Sequence, residues 1–225
     1  QDLVGETRPP LAGTTEPGAS VEIRIDGMVV DTVTADSEGT WTFVPTQALG
    51  DGMHTVSVRA TDDAGNAGTP SEVTFTVDVT QPTVAIDAPR FGDVTTETQP
   101  AITGTTEPGA SVEIRIDGVL VDTVTADQNG LWTYSVATPL LEGAHTISAT
   151  ATDQAGNVSA PAVGEIEVDV SAPSLSITTP PSGERTSNAS PALVGTTEPG
   201  AQVRVSIDGL LAATLTADQN GEYSY

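Results

Sequence analysis

The stretch GTTEPGASVEIRIDG, residues 13–27, decides how the rest of the chain is interpreted. It returns unchanged at 104–118, and a variant, GTTEPGAQVRVSIDG, follows at 195–209. The three copies start 91 residues apart, and a constant spacing of this length indicates tandem copies of one folding unit. We therefore predict three repeats. They are residues 1–81, which lack the first strand, residues 82–172, which are complete, and residues 173–225, which hold only the N-terminal part.

The second repeat alternates apolar and polar residues in seven short segments. In SVEIRID (111–117) the apolar residues fall on one face, and Asp117-Gly118 then predicts a tight hairpin. The segment Glu107-Pro108-Gly109-Ala110 suits a type II turn. No stretch shows helical periodicity, so the pattern predicts an all-β fold in which each repeat is a seven-stranded β-sandwich. The predicted strands cover 83–87, 100–106, 111–117, 119–126, 131–136, 145–152 and a last one ending at 165–170, and 88–99 is predicted to be a loop.

The charge of the chain is strongly negative. It has 31 acidic residues, 7 arginines and no lysine, for a formal net charge of −24. Such a surface repels phosphates and anionic lipid head groups, which argues against nucleic-acid binding. No apolar run is long enough to span a membrane, and without cysteine no disulfide can form. The acids either attract divalent cations or simply keep the surface solvated.

The third repeat is predicted to be incomplete. Tyr225 aligns with Tyr134, so this copy stops inside its fifth strand and has no sixth or seventh strand to cover its apolar face. We expect it to be loosely packed or to borrow a neighbouring chain. Because the sequence starts and stops within a repeat, we also expect it to be a fragment of a longer protein.

Four motifs in order carry a family resemblance. They are GTTEPGASVEIRIDG (13–27), TADSEGTW (34–41), GMHTVSVRATDDAGN (52–66) and VDVTQPTV (77–84), and together they resemble the bacterial immunoglobulin-like repeat. The resemblance implies a rod of Ig-like sandwiches, a non-enzymatic stalk of an extracellular or surface adhesin. Its partners would be neighbouring repeats and, through a distal domain, a host or environmental surface. In several such adhesins calcium ions stiffen the domain junctions.

Topology gives the calcium idea a basis in the residues themselves. Seven strands that alternate in direction place the 2–3, 4–5 and 6–7 loops at the pole where the chain enters. In the second repeat these loops carry Glu107, Asp127 and Asp153, and the incoming linker carries Asp78. Ca²⁺ prefers six to eight oxygen ligands, largely carboxylates and carbonyls. We therefore predict a calcium site formed by Asp78 and Asp153 with help from Glu107 or Asp127.

Equivalent acids mark the other junctions. Asp169 with Glu198 and Asp218 would form a weaker second site, because the 6–7 loop is missing there, and Asp62 would serve a junction with a preceding repeat. At the facing pole of the first repeat, Asp26 and Asp51 are further candidates. The alternative is ordinary turn chemistry, in which Asp caps its own backbone. That role is the stronger expectation for Asp26, Asp36, Asp117 and Asp127.

Other chemistry finds little support in the sequence. His54 and His145 are single histidines in their repeats, without zinc-ligand spacing, so packing or loop closure is expected. No catalytic triad order appears, and paired carboxylates on turns in every copy are untypical of an active site. Trp41 and Trp132 suit the core better than sugar stacking. Two alternatives to a stalk remain: a glycan- or protein-binding module, and a spacer attached to a secreted hydrolase.

Overall fold

The computed structural model describes residues 2–225, and within them the protein is built from strands and turns with no helix. None of these residues therefore lies in a helix that could cross a bilayer. The predicted first repeat begins at Gln1, which lies outside the described residues. Contacts divide the chain into two units, one ending at Asp169 and one spanning Val170–Tyr225. The repeat boundaries at 81/82 and 172/173 stay a prediction.

Repeat 2 is a sandwich of two antiparallel-dominated sheets. One sheet has the order β12-β11-β14-β15-β9 and the other β13-β10-β8. Apolar side chains from alternate positions of both sheets fill the space between them, with Ile102, Ile114 and Ile147 almost completely buried. The strands are β8 (Ala85–Ala88), β9 (Asp93–Thr95), β10 (Ala101–Thr105), β11 (Ser111–Ile116), β12 (Val119–Thr125), β13 (Leu131–Ser135), β14 (Gly143–Thr152) and β15 (Ala162–Val168).

All seven predicted strands of repeat 2 are present, but the prediction of a continuous loop over 88–99 was wrong. β9 lies within it and pairs in parallel with β15, with Val94 opposite Glu167. The sequence of β9, Asp93-Val94-Thr95, shows no alternation of apolar and polar residues that would predict a strand. Its one apolar side chain, Val94, is exposed and not part of the core. The strand exists because it lies beside the edge of β15, which is a tertiary contact and not a local preference.

Repeat 1 has the same arrangement without a counterpart of β8. Its sheets have the orders β1-β7-β6-β3-β4 and β2-β5, around a core that includes Ile23, Trp41 and Val77. The short first strand pairs in parallel with the last one, as β9 does with β15. The strands are β1 (Asp2–Val4), β2 (Leu11–Thr14), β3 (Ser20–Ile25), β4 (Met28–Thr34), β5 (Thr40–Phe43), β6 (Gly52–Thr61) and β7 (Ser71–Val77).

The predicted turns form where the local chemistry favours them. Asp117 and Gly118 both have positive φ, at 52° and 79°, which is the geometry of a type I′ hairpin. In the Glu107–Ala110 turn, Gly109 has φ of 78° and the amide of Ala110 donates to the carbonyl of Glu107 at 3.1 Å. These turns fix the register of the strands that carry the core.

The glycine that opens each copy of GTTEPG supports the core aromatic residue. In repeat 2 the indole of Trp132 and the carbonyl of Ala85 both lie where a Cβ of Gly104 would stand. A methyl group on Gly104 would overlap both groups. Gly195 and Tyr223 make the same pair in the third repeat.

The unit Val170–Tyr225 has a smaller core. Val203, Val205 and Tyr223 are its clustered buried side chains, and Leu175 and Ile177 remain exposed. Its sheets have the orders β16-β17-β20 and β18-β19. The strands are β16 (Ser176–Thr179), β17 (Val194–Thr196), β18 (Gln202–Ile207), β19 (Leu210–Thr216) and β20 (Glu222–Ser224).

Candidate functional site

The loops predicted to gather where the chain enters repeat 2 do lie together. The hydroxyl of Thr106 donates to the carbonyl of Thr83 at 2.7 Å, and the amide of Thr106 donates to the carbonyl of Gly130 at 2.9 Å. Gly109 lies against the side chain of Gln154. The 2–3, 4–5 and 6–7 loops and the incoming segment therefore form one surface, which faces repeat 1.

The 6–7 loop of this surface, residues 153–157, is held in shape by its own first and last residues. Asp153 Oδ1 accepts the backbone N–H of Asn157 at 2.8 Å, and Asp153 Oδ2 accepts the side-chain amide of Asn157 at 2.9 Å. The amide of Asp153 donates to the carbonyl of Asn157 at 3.0 Å. The carboxylate of Asp153 is thus used to close a loop and to aim the Asn157 amide.

Asn157 also contacts repeat 1. Its Nδ2 donates to the backbone carbonyl of Asp78 at 2.8 Å, across 79 positions of sequence. The amide of Asp78 in turn donates to the carbonyl of Val4 at 3.0 Å, which joins the ends of β1 and β7. At the end of repeat 1, the backbone of Asp78 is therefore hydrogen-bonded to β1 through its amide and to repeat 2 through its carbonyl.

The linker that follows is also bonded to repeat 1. Asp51 accepts the amide of Val79 at 2.8 Å and the hydroxyl of Thr80 at 3.0 Å. The carboxylate of Asp78 accepts the amide of Thr80 at 3.1 Å. Pro82 then lies buried at the start of repeat 2. Such a linker has few free torsions, because its donors are held and proline fixes φ.

A second contact lies beside the first. Gly5, just after β1, is so close to the carbonyl of Ala155 that a Cβ on Gly5 would overlap it. The equivalent residue one repeat later is Thr96. Glycine at this position therefore allows the 153–157 loop to approach the strand ends of repeat 1.

The acids predicted to bind calcium at this junction are placed as follows. Asp78 and Asp153 are half-buried, and Glu107 and Asp127 are exposed. Asp127 Oδ1 accepts the amides of Leu131 and Asn129 at 2.9 and 2.8 Å, and these bonds hold the pKa of the carboxyl below its usual value. Asp127 therefore caps the backbone of its own turn, as expected for ordinary turn chemistry.

Across residues 2–225, no three or more Asp, Glu or His side chains are grouped so that they could hold a metal ion. The carboxylates of Asp78, Asp127 and Asp153 each accept N–H groups of nearby residues. The predicted calcium site stays a prediction.

The remaining predicted ligands are assigned to the other junctions. Asp62 accepts the amide and the side chain of Asn66, and the side-chain bond is the main cause of its lowered pKa. Asp218 caps a turn by accepting the amides of Glu222 and Asn220, which lower its pKa. The amide of Asp169 donates to the carbonyl of Thr95 at 2.9 Å, and Glu198 is exposed on its turn.

The two histidines bridge loops at the other pole. His145 Nδ1 lies 2.8 Å from Asp117 Oδ2, and its Nε2 lies 2.9 Å from the carbonyl oxygen of Leu141. His54 makes the same contacts with Asp26 and Gly50, at 2.7 and 2.8 Å. Each imidazole therefore joins the Asp-Gly hairpin to the loop that precedes its own strand, between β5 and β6 in repeat 1 and between β13 and β14 in repeat 2. This is a loop-closing role.

The tryptophans are part of the core. Trp41 is 7% exposed and Trp132 is 2% exposed, so neither can stack on a sugar at the surface. Trp132 Nε1 is buried without a hydrogen-bond partner among the described residues. In the third repeat, the hydroxyl of Tyr223 donates to the carbonyl of Ser176 at 2.8 Å.

Sequence reasoning missed the two residues that make the interrepeat contact, Asn157 and Gly5. A signal for Asn157 was present, because the pattern Asp-x-Ala-Gly-Asn stands at 62–66 and again at 153–157. No signal in the sequence marks Gly5, since the matching position carries threonine.

The chain is similar in structure to repeats and modules of several known proteins. No curated protein matches it. Similar solved structures include the fibronectin(III)-like modules of Clostridium thermocellum CbhA, at 20% identity and a TM-score of 0.45, covering 74% of this chain and 87% of that one. A tetra-tandem repeat from the extending region of a large adhesion protein matches at 25% identity and a TM-score of 0.38, over 97% of this chain and 61% of that one. A structure of a 1.5-MDa bacterial ice-binding adhesin matches at 19% identity and a TM-score of 0.42. The match covers 99% of this chain and 82% of that one.

The sequence profile of the bacterial Ig-like domain matches residues 1–79 and again residues 90–170. These two matches cover most of the chain and include every strand of the two sandwiches described above except β8. The protein therefore belongs to the bacterial Ig-like domain family, of which it carries two copies in tandem.

Proposed function

We propose that this chain is a structural stalk segment of an extracellular, adhesin-type bacterial protein. The observation that carries the proposal is the path of the chain through repeat 2. The chain enters beside the 153–157 loop, where Asp78 meets Asn157. It leaves from Val168, at the far end of β15, whose seven residues span about 20 Å. Repeats connected at opposite poles add their lengths and carry tension in series.

The contacts within unit 1 support this role. Repeat 1 holds its linker through Asp51, and repeat 2 holds the same linker through Asn157. A series of domains transmits force only if the joints and the sheets both resist it. The sheets of each repeat supply long antiparallel pairings, such as that of β14 with β15.

Single-molecule stretching of the full chain between handles at its two ends tests the proposal. Repeats 1 and 2 should each unfold in one event that lengthens the chain by about 25 nm, as expected for some 80 residues at 3.3–3.6 Å each less the folded length. Extension of repeats 1 and 2 without discrete force events would contradict a load-bearing role.

Calcium at the junction is the part of the prediction that the described side chains support least. Titration calorimetry with CaCl₂ and thermal melting with and without EDTA test it directly. Binding at about 0.1–1 mM, the range of extracellular modules, together with a rise in melting temperature would establish a site. Absence of both effects would remove calcium from the proposal and leave the stalk role intact.

A protein-binding face is the second candidate, favoured by one observation. The edge strands β4 and β12 expose apolar residues at matching positions, including Val29 at 51% and Leu120 at 45%. Exposed apolar edges favour pairing with another chain. Sedimentation velocity should then show concentration-dependent association that the double variant Val29→Lys, Leu120→Lys abolishes. A single monomeric species at all concentrations would contradict this candidate.

A further inference from the structure

The 153–157 loop of repeat 2 and the 62–66 loop of repeat 1 are built alike. In each, an aspartate at the first position accepts the backbone N–H and the side-chain amide of an asparagine at the last. The two bonds measure 2.8 and 2.9 Å in repeat 2, and both measure 2.8 Å in repeat 1. The loops therefore offer the same asparagine amide at the same pole of their repeats.

The two loops differ in what the second amide hydrogen does. In repeat 2, Nδ2 of Asn157 donates both to Asp153 and to the carbonyl of Asp78. Within residues 2–225, the side-chain amide of Asn66 donates to Asp62 and to no group of another repeat. Asn157 is half-buried and Asn66 is exposed. Among the described residues, a preceding repeat therefore contacts the 153–157 loop and none contacts the 62–66 loop.

The receiving group on repeat 1 is also fixed. The Asp78 carbonyl follows directly on β7, and the Asp78 amide is bonded to Val4. Gly5 lies against the Ala155 carbonyl of the loop, beside the Asn157 contact. Both neighbouring strand ends of repeat 1 thus contact one loop of repeat 2, and among residues 2–225 no three acidic or histidine side chains are grouped there to hold a metal ion.

We propose that the 153–157 loop is a docking surface for the exit end of the preceding repeat, and that Asn157 locks the two repeats together without a metal ion. This inference rests on the proposed stalk function and names the contact that makes one of its joints stiff. The partner is the end of β7 with the backbone carbonyl of Asp78, which accepts the Asn157 side-chain amide. Gly5 is required because any side chain there would separate the surfaces.

Distance measurement by pulsed electron paramagnetic resonance tests the lock in the full chain. The chain has no cysteine, so Thr32→Cys and Thr123→Cys, at exposed matching positions of β4 and β12, provide one label per repeat. We expect one narrow distance distribution in EDTA, unchanged by millimolar CaCl₂. Asn157→Ala should raise the undocked fraction about fivefold, the factor that loss of one ordinary hydrogen bond gives.

Asn66→Ala is the matched control, because it removes the same bonds to aspartate from a loop that no other repeat contacts within residues 2–225. It should leave the distance distribution unchanged. Gly5→Thr, which reproduces Thr96, should widen the distribution while keeping every bond inside the 153–157 loop, so it serves even if Asn157→Ala perturbs folding. The proposal is overturned if the Asn157 and Gly5 variants keep the narrow distance distribution of the parent. It is also overturned if the parent shows a narrow distribution only when calcium is present. Failure of the stalk role would appear in the stretching experiment and would not alter these distributions.

Discussion

Asp117 Oδ2 and His145 Nδ1 lie 2.8 Å apart, and Asp26 and His54 repeat the pair at 2.7 Å. The other nitrogen of each imidazole faces a backbone carbonyl, from Leu141 or Gly50. Since a carbonyl and a carboxylate both accept, both ring nitrogens must donate. The geometry therefore favours the doubly protonated imidazolium in repeats 1 and 2.

Stability should consequently fall as the pH rises above neutrality. The bonds to Asp117 and to the Leu141 carbonyl raise the pKa of His145, and those to the Gly50 carbonyl and Asp26 raise that of His54. A raised folded pKa gives stability that is fully present below the unfolded value of 6.5 and is lost as the pH passes the folded value. Thermal melts between pH 5.5 and 9 should show this decline, and the double variant His54→Gln, His145→Gln should flatten it.

The same pairs should weaken in acid. For Asp117, burial raises the pKa, but the bonds from His145 and the Thr146 amide outweigh it and lower the pKa; for Asp26, the Thr55 amide is the main cause of the lowering. Lowered folded values give stability that is present above pH 3.8 and is lost as the pH falls through them. Melting temperatures of the parent should therefore drop below about pH 4. If Asp26→Asn, Asp117→Asn showed an equal acid loss, the pairs would not be its cause.

Gly104→Ala should destabilise repeat 2 by about 2–3 kcal/mol, because the new methyl group overlaps the Ala85 carbonyl and the Trp132 indole in a packed core. Gly164→Ala is the control. It lies in β15 with open space around a Cβ, so it should be neutral or slightly stabilising. Urea unfolding followed by tryptophan fluorescence measures both. Equal effects of the two substitutions would show that the overlap is relieved.

Trp132→Tyr should be tolerated far better than Trp132→Ala. The third repeat already carries tyrosine here, and its hydroxyl donates to the Ser176 carbonyl, whose equivalent in repeat 2 is that of Ala85. We expect a loss of less than about 1.5 kcal/mol for tyrosine and of about 3–5 kcal/mol for alanine. Chemical denaturation followed by circular dichroism compares them. A tyrosine variant as unstable as the alanine variant would mean that the new hydroxyl finds no acceptor.

Hydrogen exchange should be faster in β18 than in β11, although their sequences are closely related. β11 pairs with β12 and β14, whereas β18 pairs with β19 alone among the described strands. The core beneath β18 is also smaller. Exchange measured by NMR or mass spectrometry at neutral pH compares the two strands within one molecule. Equal protection would show that β18 is covered in solution.

Much of the fold could be predicted because its signals are local. The Asp117-Gly118 hairpin and the Glu107–Ala110 turn depend on the φ angles that their own residues allow. The alternation of Val112, Ile114 and Ile116 likewise fixes the buried face of β11. The gathering of three loops at one pole follows from counting chain reversals. β9 escaped prediction because only its place beside β15 makes it a strand.

The sequence alone determined the repeat, the β class, the turns and the pole at which acids and linker meet, since period, alternation and turn chemistry are properties of neighbouring residues. Only the tertiary structure decided what those groups do there. Asp153 bonds to Asn157 within its own loop, and Asn157 reaches the Asp78 carbonyl from 79 positions away. Likewise, only the fold shows that the Trp132 indole packs against Gly104, where a Cβ would overlap it. A hydrogen bond or a close contact depends on the separation of two atoms in space, which the fold alone sets.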